Sequence, residues 1–71
     1  MEFFAKNLKY LRKIKGISQQ KFADDIGMSR DGINSIENKG ANPSIATLIK
    51  IRNYFNVNLD DLIFVDLENK S

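Results

Sequence analysis

The 71-residue chain contains no cysteine and no histidine. Without cysteine there can be no disulfide framework, no thiolate metal site and no cysteine nucleophile. Without histidine the commonest general base and the commonest metal ligand are missing too. A chain this short buries only about 60% of the surface its unfolded form exposes, which leaves little room to enclose a substrate. An enzyme, catalytic residues, a metal site and a cofactor are therefore not expected. The paired acids Asp24/Asp25 and Asp60/Asp61 do not change that, because neighbours on a helix point their side chains apart. Apolar runs extend only a few residues, so no membrane partner is expected. The N-terminal stretch MEFFAKNLKY lacks the basic region, apolar stretch and small-residue cleavage site of a secretory signal, and a cytoplasmic protein is the expectation.

What is present is the composition of an ordinary soluble globule, 42% hydrophobic and 28% charged. It forms one domain over residues 1–71, without internal repeat, low-complexity tract or linker. The formal charge of +2 is unevenly divided. Residues 1–40 hold eight Lys or Arg against five acids, giving +3, whereas residues 41–71 hold three against four, giving −1. Positive charge gathered in one half suits a polyanion, although a solvated helix face reads the same way.

Periodicity and caps divide the chain into five helices, an all-α fold. Phe4, Leu8 and Leu11 recur at helical spacing, which predicts a helix over residues 3–15 that stops at Gly16. Ser18 caps a second helix over residues 19–26 that turns Phe22, Ala23 and Ile26 inward, and Gly27 ends it. Ser29 caps a third over residues 30–37, with Ile33 and Ile36 inward. Ser44 caps a fourth reaching residue 55, with Ile45, Leu48, Ile49 and Ile51 as its apolar positions, and Asn58 caps a fifth over residues 59–64. A C-terminal tail over residues 66–71 follows.

An apolar residue precedes each cap and another stands at the fourth helical position: Ile17 with Phe22, Met28 with Ile33, Pro43 with Leu48, Val57 with Leu62. This is hydrophobic-staple spacing, which sets the angle at which the chain enters a helix. The tightest joint lies between the second and third helices, where Gly27 can take a left-handed conformation in a turn of three or four residues.

The stretch SQQKFADDIGMSRDGINSIEN, residues 18–38, resembles the helix-turn-helix of the Cro and phage-repressor type (Xre-like) family of transcriptional regulators. LKYLRKIKGIS before it and NPSIATLIKIRNYFNVNLDDLI after it resemble the family's first helix and its last two, so about 60 of the 71 residues are covered. The resemblance implies a five-helix lambda-repressor-like DNA-binding domain whose second and third helices form the helix-turn-helix. Ala23 is then small because the third helix crosses close to the second, and Gly27 supplies the turn. The third helix is free to enter a major groove.

At about 100° per residue, Arg30, Asn34, Asp31 and Ser35 share one polar arc opposite Ile33 and Ile36. These four are the candidate base contacts. Arg30 suits guanine O6 and N7, Asp31 the cytosine amino group, Asn34 adenine, and Ser35 is tolerant. Gly32 either permits close approach to the nucleic acid or is a neutral solvent-facing substitution. The candidate phosphate contacts are Gln19, Lys21, Ser29, Asn38 and Lys39. Of these, Asn38 and Lys39 match the family's second phosphate-contacting region, while Lys21 departs from the glutamate common in the family. Arg12 and Glu37 match a partly buried ion pair common in the family and, with Ala23 and Gly27, are read as structural.

The leading reading is a sequence-specific DNA-binding regulator of repressor type, with double-stranded DNA as partner, acting as a homodimer on a pseudo-palindromic operator of a bacterial or phage nucleoid. Tyr54, Phe64, Val65 and Leu67 are candidates for the dimer interface, since they exceed what so small a domain can bury at its end. Two alternatives use the same fold: an antitoxin bound mainly to a protein partner, and an interaction module without DNA affinity.

Overall fold

Among the described residues, four of the five helices begin on a side chain that accepts a backbone N–H of their own first turn. Ser18 accepts from Lys21, Ser29 from Gly32, Ser44 from Thr47 and Asn58 from Asp60, at 2.8–3.1 Å. The computed structural model describes residues 1–70 as α1 (Phe4–Lys15), α2 (Gln19–Ile26), α3 (Arg30–Asn38), α4 (Ile45–Phe55) and α5 (Leu59–Phe64). There is no strand among the described residues. Each boundary lies within one residue of the sequence expectation. α1 starts one residue late because Phe3 is its cap and sends its N–H to the Ile63 carbonyl at 3.0 Å. Of the expected tail over 66–71, Ser71 lies outside the described residues.

Three helices end through a left-handed residue. Gly16 and Gly27 have φ of 74°, and Asn56 takes the same role at 52°. At α1 and α4 the paired closing bonds, Gly16 to Lys13 with Ile17 to Arg12 and Asn56 to Asn53 with Val57 to Arg52, satisfy carbonyls that would otherwise be left open.

Phe22, Leu8, Ile33, Ile51 and Leu62 are wholly buried and draw one residue or more from every helix into a single core. Phe22 packs against Tyr54 and Phe55 at centroid separations of 5.2 and 5.3 Å. The helices pack as α1 on α3 and α5, α2 on α3 and α4, and α4 on α5.

Packing corrects two expectations. Ile45 and Ile49, taken as apolar positions of α4, are 78% and 47% exposed. Helical geometry puts them on a separate arc from Leu48, Ile51 and Phe55, which face the core. Tyr54 and Leu67, taken as surplus surface, are packed against the core. Tyr54 also donates its hydroxyl to Asp25 at 2.6 Å. That bond, with burial, pushes the Tyr54 pKa up to about 12, while hydrogen bonds from Lys21 and then Tyr54 hold the Asp25 carboxyl below its ordinary value.

Leu67 is drawn in by Asn7, a buried polar residue on the apolar side of α1. The Asn7 Nδ2 donates to the carbonyls of Leu62 at 2.8 Å and Val65 at 2.6 Å, and Oδ1 accepts from the Leu67 N–H at 3.0 Å. Asn7→Ala leaves those groups without partners, and each unsatisfied buried polar group costs about 1–3 kcal/mol. A urea midpoint well below that of the unmodified chain is expected. An unchanged midpoint would show that water replaces the amide without loss.

Candidate nucleic-acid interface

The joint between α2 and α3 is built from two small residues. Ala23 is wholly buried in the core formed where α2 meets its neighbours. Gly27 closes α2 at a positive φ that a side chain rarely accepts, with nothing near its missing Cβ, so backbone conformation alone requires glycine there. After the turn, Ser29 caps α3 and Met28 packs against the core. A Cβ at Gly32 would lie 3.2 Å from both the Met28 methyl and the Ser29 hydroxyl. A side chain at Gly32 would thus need the Met28 methyl and the Ser29 hydroxyl to shift by a few tenths of an ångström, a contact within the protein that the sequence does not display.

α3 buries Ile33, Ile36 and Glu37 and turns its other side outward. Arg30 and Asp31 are exposed, while Asn34 and Ser35 are half-buried. Among the described residues, the side chains of Arg30, Asp31 and Ser35 have no hydrogen-bond or ion-pair partner within the chain, and neither does Lys39 just past the end of the helix. Asp31 stands in the first turn, where the helix dipole favours an acid. The Ser29 Oγ is occupied as the acceptor of the cap bond, and its O–H remains able to donate.

The remaining candidates each have a partner within the chain. Arg12 meets Glu37 in two parallel bonds, Nε to Oε2 at 2.8 Å and Nη2 to Oε1 at 3.0 Å, and its Nη1 donates to the Ile17 carbonyl at 2.9 Å. The side chains are 11% and 0% exposed, so α1 is tied to the end of α3 by a charge pair shielded from water. Gln19 turns its amide inward, with Nε2 3.2 Å from Glu37 Oε1 and 3.4 Å from Asn34 Oδ1. Asn38 donates to Asn34 Oδ1 at 2.7 Å and accepts from the Lys9 ammonium at 2.6 Å. Lys21 pairs with Asp25 along its own helix at 2.8 Å, which raises its pKa. Gln19, Lys21 and Asn38 were all expected to face phosphate. Each has a protein partner in this structure, while Lys21 and Asn38 remain exposed.

Lys9 escaped the sequence reading. The four-residue spacing of Asn34 and Asn38 on one helix face is visible in the sequence, but nothing local indicates that α1 brings a lysine to that face.

A helix-turn-helix family model matches residues 8–62. Among curated proteins the chain is similar to the SPbeta prophage-derived uncharacterized HTH-type transcriptional regulator YonR of Bacillus subtilis, 40% identical over 60 residues, covering 84% of this chain and 56% of that one. It is similar to a second uncharacterized HTH-type transcriptional regulator of that organism, YqaE, at 40% over 60 residues, covering 84% and 52%. Control protein C.MunI of a Mycoplasma species is 40% identical over 68 residues, covering 94% of this chain and 90% of its own length. The chain thus spans about half the length of the two Bacillus relatives and nearly all of the control protein. No helix among the described residues is long and apolar enough to cross a membrane.

Proposed function

The chain belongs to the helix-turn-helix family, and from that premise we propose that it is a sequence-specific DNA-binding regulator of transcription that sets α3 in the major groove. The observation that carries this reading is Arg30, an exposed guanidinium at the first position of α3 with no partner among the described residues. A rigid fork of donors in that place matches the O6 and N7 acceptors of guanine. Asp31 and Ser35 lie beside it as further base readers, and Ser29 and Lys39 flank the helix as phosphate donors. Lys21 can join them while paired with Asp25, since its exposed ammonium keeps two further donors. Relatives named as HTH-type transcriptional regulators and as control proteins support the reading.

One α3 reads only a few base pairs, so the proposal includes a homodimer on a pseudo-palindromic operator. Of the four interface candidates, Phe64 remains fully available at 65% exposure, with half-buried Val65 beside it. Ile45 and Ile49 on α4 are exposed apolar side chains as well.

Selection from a random-sequence DNA pool tests the reading. Arg30→Ala is expected to weaken binding to the selected site by about 1–3 kcal/mol and to relax preference at one base pair. Equal losses on selected and random DNA would reassign Arg30 to phosphate, and failure to select any sequence would overturn the proposal. Sedimentation of the complex should give two copies per site, with Phe64→Asp weakening the second. One copy per site, indifferent to that change, would remove the dimer.

A further inference from the structure

The polar side chains along the flank of α3 form one chain of hydrogen bonds, and a charged group at each end fixes its direction. At one end the Lys9 ammonium can only donate. Asn38 therefore accepts from it through Oδ1 and presents Nδ2 to Asn34, whose Oδ1 accepts at 2.7 Å. At the other end the Glu37 carboxylate, in its two-bond pair with Arg12, can only accept. Gln19 must therefore offer it Nε2, and the same nitrogen faces Asn34 Oδ1 at 3.4 Å. The two ends of an amide are ordinarily hard to tell apart. Here two independent charges, one on α1 and one on α3, require the same orientation of Asn34.

Both directions converge on the Asn34 Oδ1, which is therefore occupied by protein donors. The Nδ2 hydrogens make no bond among the described residues and are what this half-exposed side chain has left to offer. An asparagine that reads adenine needs both ends of its amide, accepting from N6 while donating to N7. Asn34 cannot do that without breaking the chain. Guanine presents two acceptors, O6 and N7, and no donor on the same edge.

Given the DNA-binding reading above, on which this rests, we infer that Asn34 is a specificity-determining residue of α3 that offers DNA donors only and selects guanine against adenine. Asn38 is then a positioning residue, acting on the base through the amide it orients.

The test uses the full chain and selection from a random DNA pool with three proteins: unmodified, Asn34→Ala and Asn38→Asp. One position of the selected site is expected to lose its preference in Asn34→Ala, and there the unmodified chain should favour guanine over adenine by about tenfold. Asn38→Asp turns the 2.7 Å contact into one between two acceptors, which outweighs the longer 3.4 Å approach of Gln19 and should reverse the Asn34 amide, so that Oδ1 faces outward. The guanine preference at that position should then fall in favour of a base carrying an amino group, adenine or cytosine. Asn38 is exposed, and a thermal melt checks that the variant folds. Adenine preferred by the unmodified chain, a guanine preference unmoved by Asn38→Asp, or a selected site indifferent to Asn34→Ala would overturn the inference while leaving DNA binding in place. Selection of no sequence at all would overturn both.

Discussion

Arg12→Ala is expected to cost about 3–5 kcal/mol of folding stability, because it leaves a buried carboxylate without its counter-charge. The Glu37 side chain is wholly buried and takes two of its hydrogen bonds from Arg12, leaving only the 3.2 Å approach of Gln19 once the guanidinium is gone. The Ile17 carbonyl loses its 2.9 Å donor as well. Small domains have total stabilities of roughly 5–15 kcal/mol, and one of this size sits toward the low end, so much of the variant should be unfolded at room temperature. Urea denaturation followed by circular dichroism measures it. Arg12→Lys should fall between, since an ammonium keeps the charge and loses the two-pronged geometry. Replacing both partners by apolar residues, Arg12→Met with Glu37→Leu, should recover much of the loss, because no charge is then stranded. An Arg12→Ala midpoint close to that of the unmodified chain would show that water reaches Glu37 and that the pair contributes little.

The second large effect is expected at Ala23, which is wholly buried on the helix that packs against both α3 and α4. Ala23→Leu forces three more carbons into space already filled by the side chains around Phe22 and Ile33. Overpacking of this kind costs about 1–3 kcal/mol. The strain can be relieved only by moving the helices apart, which changes the presentation of α3, so affinity for a selected DNA site should fall further than stability alone accounts for. Ala23→Gly isolates the packing effect: it opens space and loses about 1 kcal/mol of helix propensity while leaving the crossing free to close. A leucine variant with native melting temperature and native affinity would show that α2 and α3 do not meet there.

Every property of the fold that rests on neighbours a few residues apart was legible in the chain. Ser18, Ser29, Ser44 and Asn58 cap the helices they precede, since a short oxygen side chain reaches N–H groups only two or three residues ahead. Gly16 and Gly27 end α1 and α2 for an equally local reason, the absence of a Cβ at positive φ. Asn56, which ends α4 in the same conformation, escaped notice because asparagine signals a turn less sharply than glycine.

The candidate site was less legible. Arg30, Asp31, Asn34 and Ser35 lie on the outward side of α3, an arrangement helical periodicity dictates. Periodicity is silent on which polar groups are already spent. Whether Gln19 faces solvent or the Arg12–Glu37 pair depends on α1, α2 and α3 together, and whether Asn38 is free depends on a lysine 29 residues earlier.

By itself, then, the sequence determined five helices, the caps that start them, the glycine joint between α2 and α3 and the outward side of α3, because each follows from bond geometry and hydrogen bonds within one or two turns. Only the tertiary structure decided which arc of α4 meets the core, leaving Ile45 and Ile49 on the surface, and that Leu67 is packed inward, the latter because Asn7 bonds a segment 60 residues away. It also decided the direction of the Asn34 amide. Helical spacing aligns side chains along one helix, whereas the donors that occupy an amide oxygen at the meeting of three helices are chosen by packing between segments far apart in the chain.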